Sequence, residues 1–88
     1  MEIQLKLYGS SKALSENETL LIKLPENSDI GQLRNSLKKL ISEKYSQSNL
    51  HSLSNSAAFF SEKNEIINDN YKLKNKEFIS LIPPIGGG

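Results

Sequence analysis

One segment of this sequence repeats with a helical period, while the segments before and after it repeat with a period of two. That order limits the available folds more than any other feature. Ile30, Leu33, Leu37, Leu40 and Ile41 recur at steps of three and four, so they form one stripe along a helix. Arg34, Lys38, Lys39 and Glu43 take the opposite side, where the two lysines are solubilising. Asp29 stands at the start as a side-chain cap, and Gln32 three residues on completes a capping-box pattern. Gly31 weakens the first turn slightly.

The flanking segments read as strands. Ile3, Leu5 and Leu7 alternate with Gln4, Lys6 and Tyr8, as in a half-buried strand. After Gly9 a polar connection runs through Ser10, Ser11 and Asn17. Residues 19–24 then bring Leu20, Ile22 and Leu24 onto one face, and the two strands are expected to pair as a hairpin. Pro25, which has no backbone donor, ends the second strand. Residues 46–56 are rich in Ser and Asn and lack any period, the pattern of a surface loop. Beyond them, residues 57–60 and 65–67 are short buried strand candidates and Asn68, Asp69 and Asn70 a turn. Residues 78–82 are the last strand, with Ile79 and Leu81 on one face and Phe78, Ser80 and Ile82 on the other. The expected fold class is α+β, a mixed sheet of four to five strands packed on one main helix. It occupies residues 1–82, and residues 83–88 form an extended, flexible Gly-rich tail.

Size and charge exclude several functions. A chain of 88 residues has room for one modest core and none for a large enclosed active site. Lys and Arg total 11 against 10 Asp and Glu, a formal charge of +1, too little for the basic field that holds phosphate backbones, so nucleic acid is not an expected partner. The absence of cysteine removes disulfides, thiolate metal sites, iron–sulfur clusters and a Cys nucleophile together. The alternating N-terminal segment has no continuous apolar stretch for a signal peptide or membrane span, so the expected location is cytoplasmic, with no membrane contact. His51, the only histidine, lies in the Ser-rich loop without a metal or triad pattern, and no serine sits in a strand-turn-helix elbow. No metal site and no catalysis by this domain alone are expected.

The chemistry points instead to the end of the sequence, where Gly86, Gly87 and Gly88 follow a hydrophobic strand closed by Pro83 and Pro84. Glycine gives up the most conformational entropy on ordering and adds no packing, so three in a row require a reason, and slimness is one. With the prolines fixing the exit direction, residues 85–88 can reach roughly 13 Å at about 3.3 Å each, enough to enter a narrow pocket of another protein. A terminal α-carboxylate on Gly88 is ionised at neutral pH and a poor electrophile until activated. Adenylyl transfer from ATP would make it a mixed anhydride, which a sulfur donor could attack to leave a thiocarboxylate. A frayed terminus is the plain alternative. Such an end does not usually follow a hydrophobic strand and a Pro-Pro pair without a polar spacer.

The run Leu81-Ile82-Pro83-Pro84-Ile85-Gly86-Gly87-Gly88 resembles the Pro-Pro-x-x-Gly-Gly ending of the molybdopterin synthase small subunit family, which are ubiquitin-like sulfur carriers. Residues 3–14, with Leu7-Tyr8-Gly9 and a cation at Lys12, are similar to that family's first strand and following turn, and Leu24-Pro25 leading into the helix from Asp29 also fits. The resemblance implies a ubiquitin-like β-grasp fold. It also implies that Gly88, with Gly87 beside it, is adenylated by an E1-like enzyme that uses ATP. A sulfur donor protein then supplies the thiocarboxylate, and the chain itself binds no cofactor. The tail, with Pro83, Pro84, Ile85 and Gly86, would enter the large synthase subunit, in a heterotetramer of two small and two large subunits, and donate the dithiolene sulfurs of molybdopterin.

Phe78 and Ile82 share a strand face, and Tyr8 joins them if the first and last strands pair, giving an apolar surface suited to a protein partner. Lys12 stands where the family often places Arg and is a further candidate contact, although an isolated surface lysine is more often only solvated. The sequence departs from the family pattern at Lys76-Glu77, where many relatives have a Gly-Asp turn, and at Phe78, where a polar residue is common. A thiamine-pathway or ubiquitin-like sulfur carrier would share the fold and the Gly-Gly end, and the Pro-Pro pair favours the molybdopterin branch. A β-grasp binding module would work through its sheet without terminal chemistry, and deleting Gly87 and Gly88 would leave it unaffected.

Overall fold

A computed structural model of the chain describes residues 1–44 and 53–83 and shows one sheet of five strands against a main helix. β1 (Glu2–Leu7) and β2 (Thr19–Lys23) form the expected antiparallel hairpin, followed by helix α1 (Ile30–Lys44) and a one-turn helix α2 (Leu53–Ser56). Strands β3 (Ala58–Phe60), β4 (Ile66–Ile67) and β5 (Glu77–Ile82) complete the order. The sheet runs β2-β1-β5-β3-β4, with β1 and β5 parallel and the other neighbours antiparallel. The first and last strands are therefore partners near the middle of a mixed α+β sheet.

Alternation in the strands sets the core. Ile3, Leu5 and Leu7 of β1 and Ile79 and Leu81 of β5 are buried in one cluster with Ile30, Leu33, Leu37 and Ile41 of α1, joined by Ile22, Leu24 and Phe59. Each side chain of this kind contributes roughly 1.5–3 kcal/mol by leaving water. Leu40 is only partly buried and packs at the margin of the cluster. The capping box at the head of α1 forms as its residues predict: the Gln32 N–H donates to Asp29 Oδ1 at 2.9 Å, and the Asp29 N–H donates to Gln32 Oε1 at 3.0 Å. The Ile30 and Gly31 N–H groups donate to the carbonyls of Tyr71 and Asp69, which docks this first turn on the segment leading to β5.

Three stretches differ from the expectation. The connection after β1 is a 3-10 helix over Gly9–Leu14 and not a plain polar loop. Ser11 Oγ accepts the Tyr8 N–H at 2.9 Å and donates to the Tyr8 carbonyl at 2.6 Å, and with both needs met the serine is fully buried, while Leu14 enters the core. The expected loop over residues 46–56 holds α2 in its described part, where buried Leu53 anchors the turn and accepts the Ala57 N–H at 2.9 Å. The rest of that loop, with His51, lies outside the described residues.

Arg34 is the third difference. It leaves the solvated side of α1, donating from Nη1 to the Ala57 carbonyl at 2.6 Å and from Nε to Asp69 Oδ1 at 2.9 Å, with the guanidinium 4.8 Å from the Phe59 ring centroid. Its long stem lets a residue on the polar flank of the helix reach over the core edge. Lys38, Lys39 and Glu43 are exposed as expected.

Of the tail, Pro83 is described, and Pro84, Ile85, Gly86, Gly87 and Gly88 lie outside the described residues. No described helix is long and apolar enough to cross a membrane. Among the described residues no group of His, Cys, Asp or Glu is arranged to hold a metal ion.

Candidate functional site

The face of the sheet away from α1 carries the other half of each alternation. β1 and β5 run parallel with Gln4 opposite Phe78 and Lys6 opposite Ser80, and β3 sets Ala58 opposite Ile82 and Phe60 opposite Ser80. Tyr8, just beyond β1, is 36% exposed, and Phe60, Phe78 and Ile82 are each half-buried. The structure thus brings together Tyr8, Phe78 and Ile82, as the pairing of first and last strands requires. It adds Phe60: the strand expected to be buried turns this ring to the open side, and in the other such strand Ile66 is 73% exposed. The signal was present: Phe60 follows buried Phe59 in a strand, so it must face the other side.

Two adjoining depressions mark this face. One, of about 400 Å³, is lined by Tyr8, Phe60, Asn64, Ser80 and Ile82. The other, of about 380 Å³, lies among Lys6, Tyr8, Glu62, Asn64, Phe78 and Ser80. Lys6 Nζ sits 5.4 Å from the Tyr8 ring centroid, which gives the aromatic patch a cationic border. Rings set among short polar groups, open to water, suit a protein surface better than a small substrate. A larger depression of about 600 Å³ at the head of α1 is lined by Asp29, Gly31, Gln32, Arg34, Asn35 and Asp69. Its polar groups already bond one another through the capping box and the Arg34–Asp69 pair, and it has no apolar anchor.

The chain leaves the sheet at the margin of this face. Gly9 has φ +54°, and a Cβ placed on it would lie 3.2 Å from Pro83 Cγ, so the missing side chain lets Pro83 pack on the 3-10 helix. Ser11 holds the Tyr8 backbone from the other side of the same turn. Lys12 is exposed on that helix, while Pro84, Ile85, Gly86, Gly87 and Gly88 are beyond the described residues.

The turn that feeds β5 is built on Lys76 and Glu77. Lys76 has φ +64°, the left-handed region that favours glycine, and its N–H donates to the Glu2 carbonyl at 2.6 Å. A lysine therefore carries the strain of this turn. Glu77 pins the turn by accepting the Lys74 N–H at 2.8 Å and the Tyr71 O–H at 2.5 Å. That bond to Glu77, then burial and the carboxylate's charge, raises the Tyr71 pKa above the ordinary phenol value.

No protein-family model matches the chain, and no curated protein sequence does. Solved structures match over almost the whole length. A protein assigned as molybdopterin converting factor subunit 1 from Pyrococcus furiosus has a TM-score of 0.69 at 17% identity, covering 96% of this chain and 98% of its own. Small archaeal modifier protein 1 from Haloferax volcanii has a TM-score of 0.68 at 14% identity, with 100% of both chains covered. A chain from the complex of subunits 1 and 2 of molybdopterin-converting factor from Helicobacter pylori is 27% identical, with a TM-score of 0.58 and 100% of both chains covered. The chain has the ubiquitin-like β-grasp fold, and its structural neighbours include subunit 1 of molybdopterin converting factors and a small archaeal modifier protein.

Proposed function

We propose that the chain is a ubiquitin-like sulfur carrier and, within that class, the small subunit of a molybdopterin synthase. The observation that carries this reading is the course of β5, which runs through the middle of the sheet and delivers Pro83 to the margin of the aromatic face. A partner seated on Tyr8, Phe60, Phe78 and Ile82 would meet the tail where it starts. The Helicobacter pylori neighbour, taken from a complex of two subunits, supports a large subunit as that partner.

In this reading an E1-like enzyme joins the Gly88 carboxylate to the adenylyl group of ATP and releases pyrophosphate. A sulfide-level sulfur from a donor protein attacks the acyl carbon, AMP leaves with its electron pair, and a thiocarboxylate remains. In the large subunit the thiocarboxylate sulfur attacks a carbon of the pterin precursor and displaces a leaving group, which departs with its electron pair; water then cleaves the acyl–sulfur bond, leaving the sulfur on the pterin and returning Gly88 as a carboxylate. The chain contributes a tail thin enough to serve each site and no acid or base of its own. ATP belongs to the activating enzyme.

Intact mass after incubation with ATP, magnesium, a sulfur donor and the E1-like enzyme tests this directly. The expected gain is about 16 Da, one oxygen replaced by sulfur at the terminal carboxyl. Deleting Gly87 and Gly88 should abolish the gain and leave the melting transition unchanged. Normal molybdenum-cofactor production by the truncated chain would return the protein to a binding-module role. The full-length match to small archaeal modifier protein 1 favours a second reading, in which a lysine amine takes the activated carboxyl to form an amide. Conjugates that survive denaturation would support it.

A further inference from the structure

β2 forms one margin of the sheet. Alternate residues in and beside it bond inward: Glu18 accepts the Leu7 N–H at 3.0 Å, the Leu24 N–H donates to the Met1 carbonyl at 2.9 Å, and the Met1 amino group donates to the Leu24 carbonyl at 2.6 Å. By the alternation of an antiparallel ladder, Leu20 and Ile22 also turn their backbone groups toward β1, and those of Thr19, Leu21 and Lys23 point away from the sheet. Among the described residues no strand pairs with that side. Among the described residues the large apolar side chains most exposed to water are Tyr8, on the aromatic face, and one on each marginal strand, Leu21 at 50% on β2 and Ile66 at 73% on β4. An open strand edge with an apolar side chain is a template for pairing. β2 has little to prevent it, since its register shows no bulge and its first proline is Pro25, beyond the strand.

We propose that this edge pairs with the same edge of a second copy, antiparallel about a two-fold axis through Leu21, joining two sheets into one. The strand fixes the register. Only with Leu21 opposite its counterpart do all three outward residues find partners, Thr19 pairing with Lys23 of the other copy and each pair exchanging two backbone bonds. The side chains agree with that alignment. Leu21 meets Leu21 on the side away from α1, Leu20 meets Ile22 on the helix side, and Lys23, the one charge in the strand, faces threonine. β4 is only two residues long and offers no ladder of that length. The contact leaves β5 and Pro83 free two strands away, so it stands or falls independently of the sulfur chemistry.

Sedimentation velocity on the full chain should show the mean mass rising toward that of a dimer between micromolar and near-millimolar concentration. Leu21→Lys puts two cations face to face on the axis and should weaken association by about tenfold or more without lowering the melting temperature. Because the chain has no cysteine, Leu21→Cys should crosslink to itself under mild oxidation while Ile66→Cys does not. A monomer at every concentration overturns the proposal, and added mass only with an extended apolar peptide would make the edge a docking strand for another protein. Undiminished dimerisation of Leu21→Lys, or equal crosslinking of both cysteine variants, would overturn it as well.

Discussion

Phe59 and Phe60 are consecutive in β3, yet the first is fully enclosed between sheet and helix and the second lies half-buried on the open side. The same division runs through β1 and β5. On the enclosed face Ile3, Leu5, Leu7, Ile79 and Leu81 meet the aliphatic stripe of α1 with no polar side chain among them. On the open face rings alternate with Lys6, Ser80 and Asn64. Two faces of one sheet therefore do different work. The enclosed face holds the fold together through burial, whereas the open face keeps apolar rings in contact with water, which helps only when a partner covers them.

Substitutions can break or sharpen that contrast. Phe59→Ala should lower unfolding free energy by about 3–5 kcal/mol, much of the stability of a small domain, in chemical denaturation. Phe60→Ala, one residue on, should change stability by less than about 1 kcal/mol. Its effect should appear in calorimetry against the large subunit as roughly tenfold weaker binding, about 1.4 kcal/mol. Equal stability losses for the two would remove the distinction.

The turn into β5 belongs to neither face, and changes there should move stability alone. Tyr71→Phe removes the bond to Glu77 and should lose about 1 kcal/mol at neutral pH. Because the Tyr71 pKa is raised in the folded state, its contribution is complete below the ordinary phenol value and declines as pH climbs through the higher folded value. Stability measured across the alkaline range should therefore fall in the parent and lack that component in the variant. Lys76→Gly should gain the least, about 0.5–1 kcal/mol, by relieving the left-handed backbone against glycine's extra freedom when unfolded.

What was legible in the sequence was whatever repeats. The alternation of Ile3, Leu5 and Leu7 and the stripe from Ile30 to Ile41 gave strands, helix and core, and Asp29 with Gln32 marked the helix start. Features resting on single anchors were hidden. Leu14 has only Ala13 beside it in a polar connection and Leu53 only Leu50 in a Ser-rich run, too few apolar positions to set a period, although Leu14 and Leu53 each bury and organise a turn. Arg34 looked solvated because its partners, Ala57, Phe59 and Asp69, are more than twenty residues away in sequence and adjacent only after folding. The aromatic face was half legible: Phe78 and Ile82 share an alternation, but Tyr8 joins them only through the parallel pairing of β1 with β5.

That parallel pairing also has a mechanical consequence. β1 and β5 lie at opposite ends of the described domain and share five aligned positions, from Ile3 with Glu77 to Leu7 with Leu81. Tension applied between the two ends would act along both strands, so the backbone bonds joining them would resist together in shear and would not open one after another. An enzyme that grips the tail and pulls against a body held elsewhere would meet that resistance first. The tail thus follows a strand bonded on both sides, so a partner can draw on it without peeling an edge from the domain behind it.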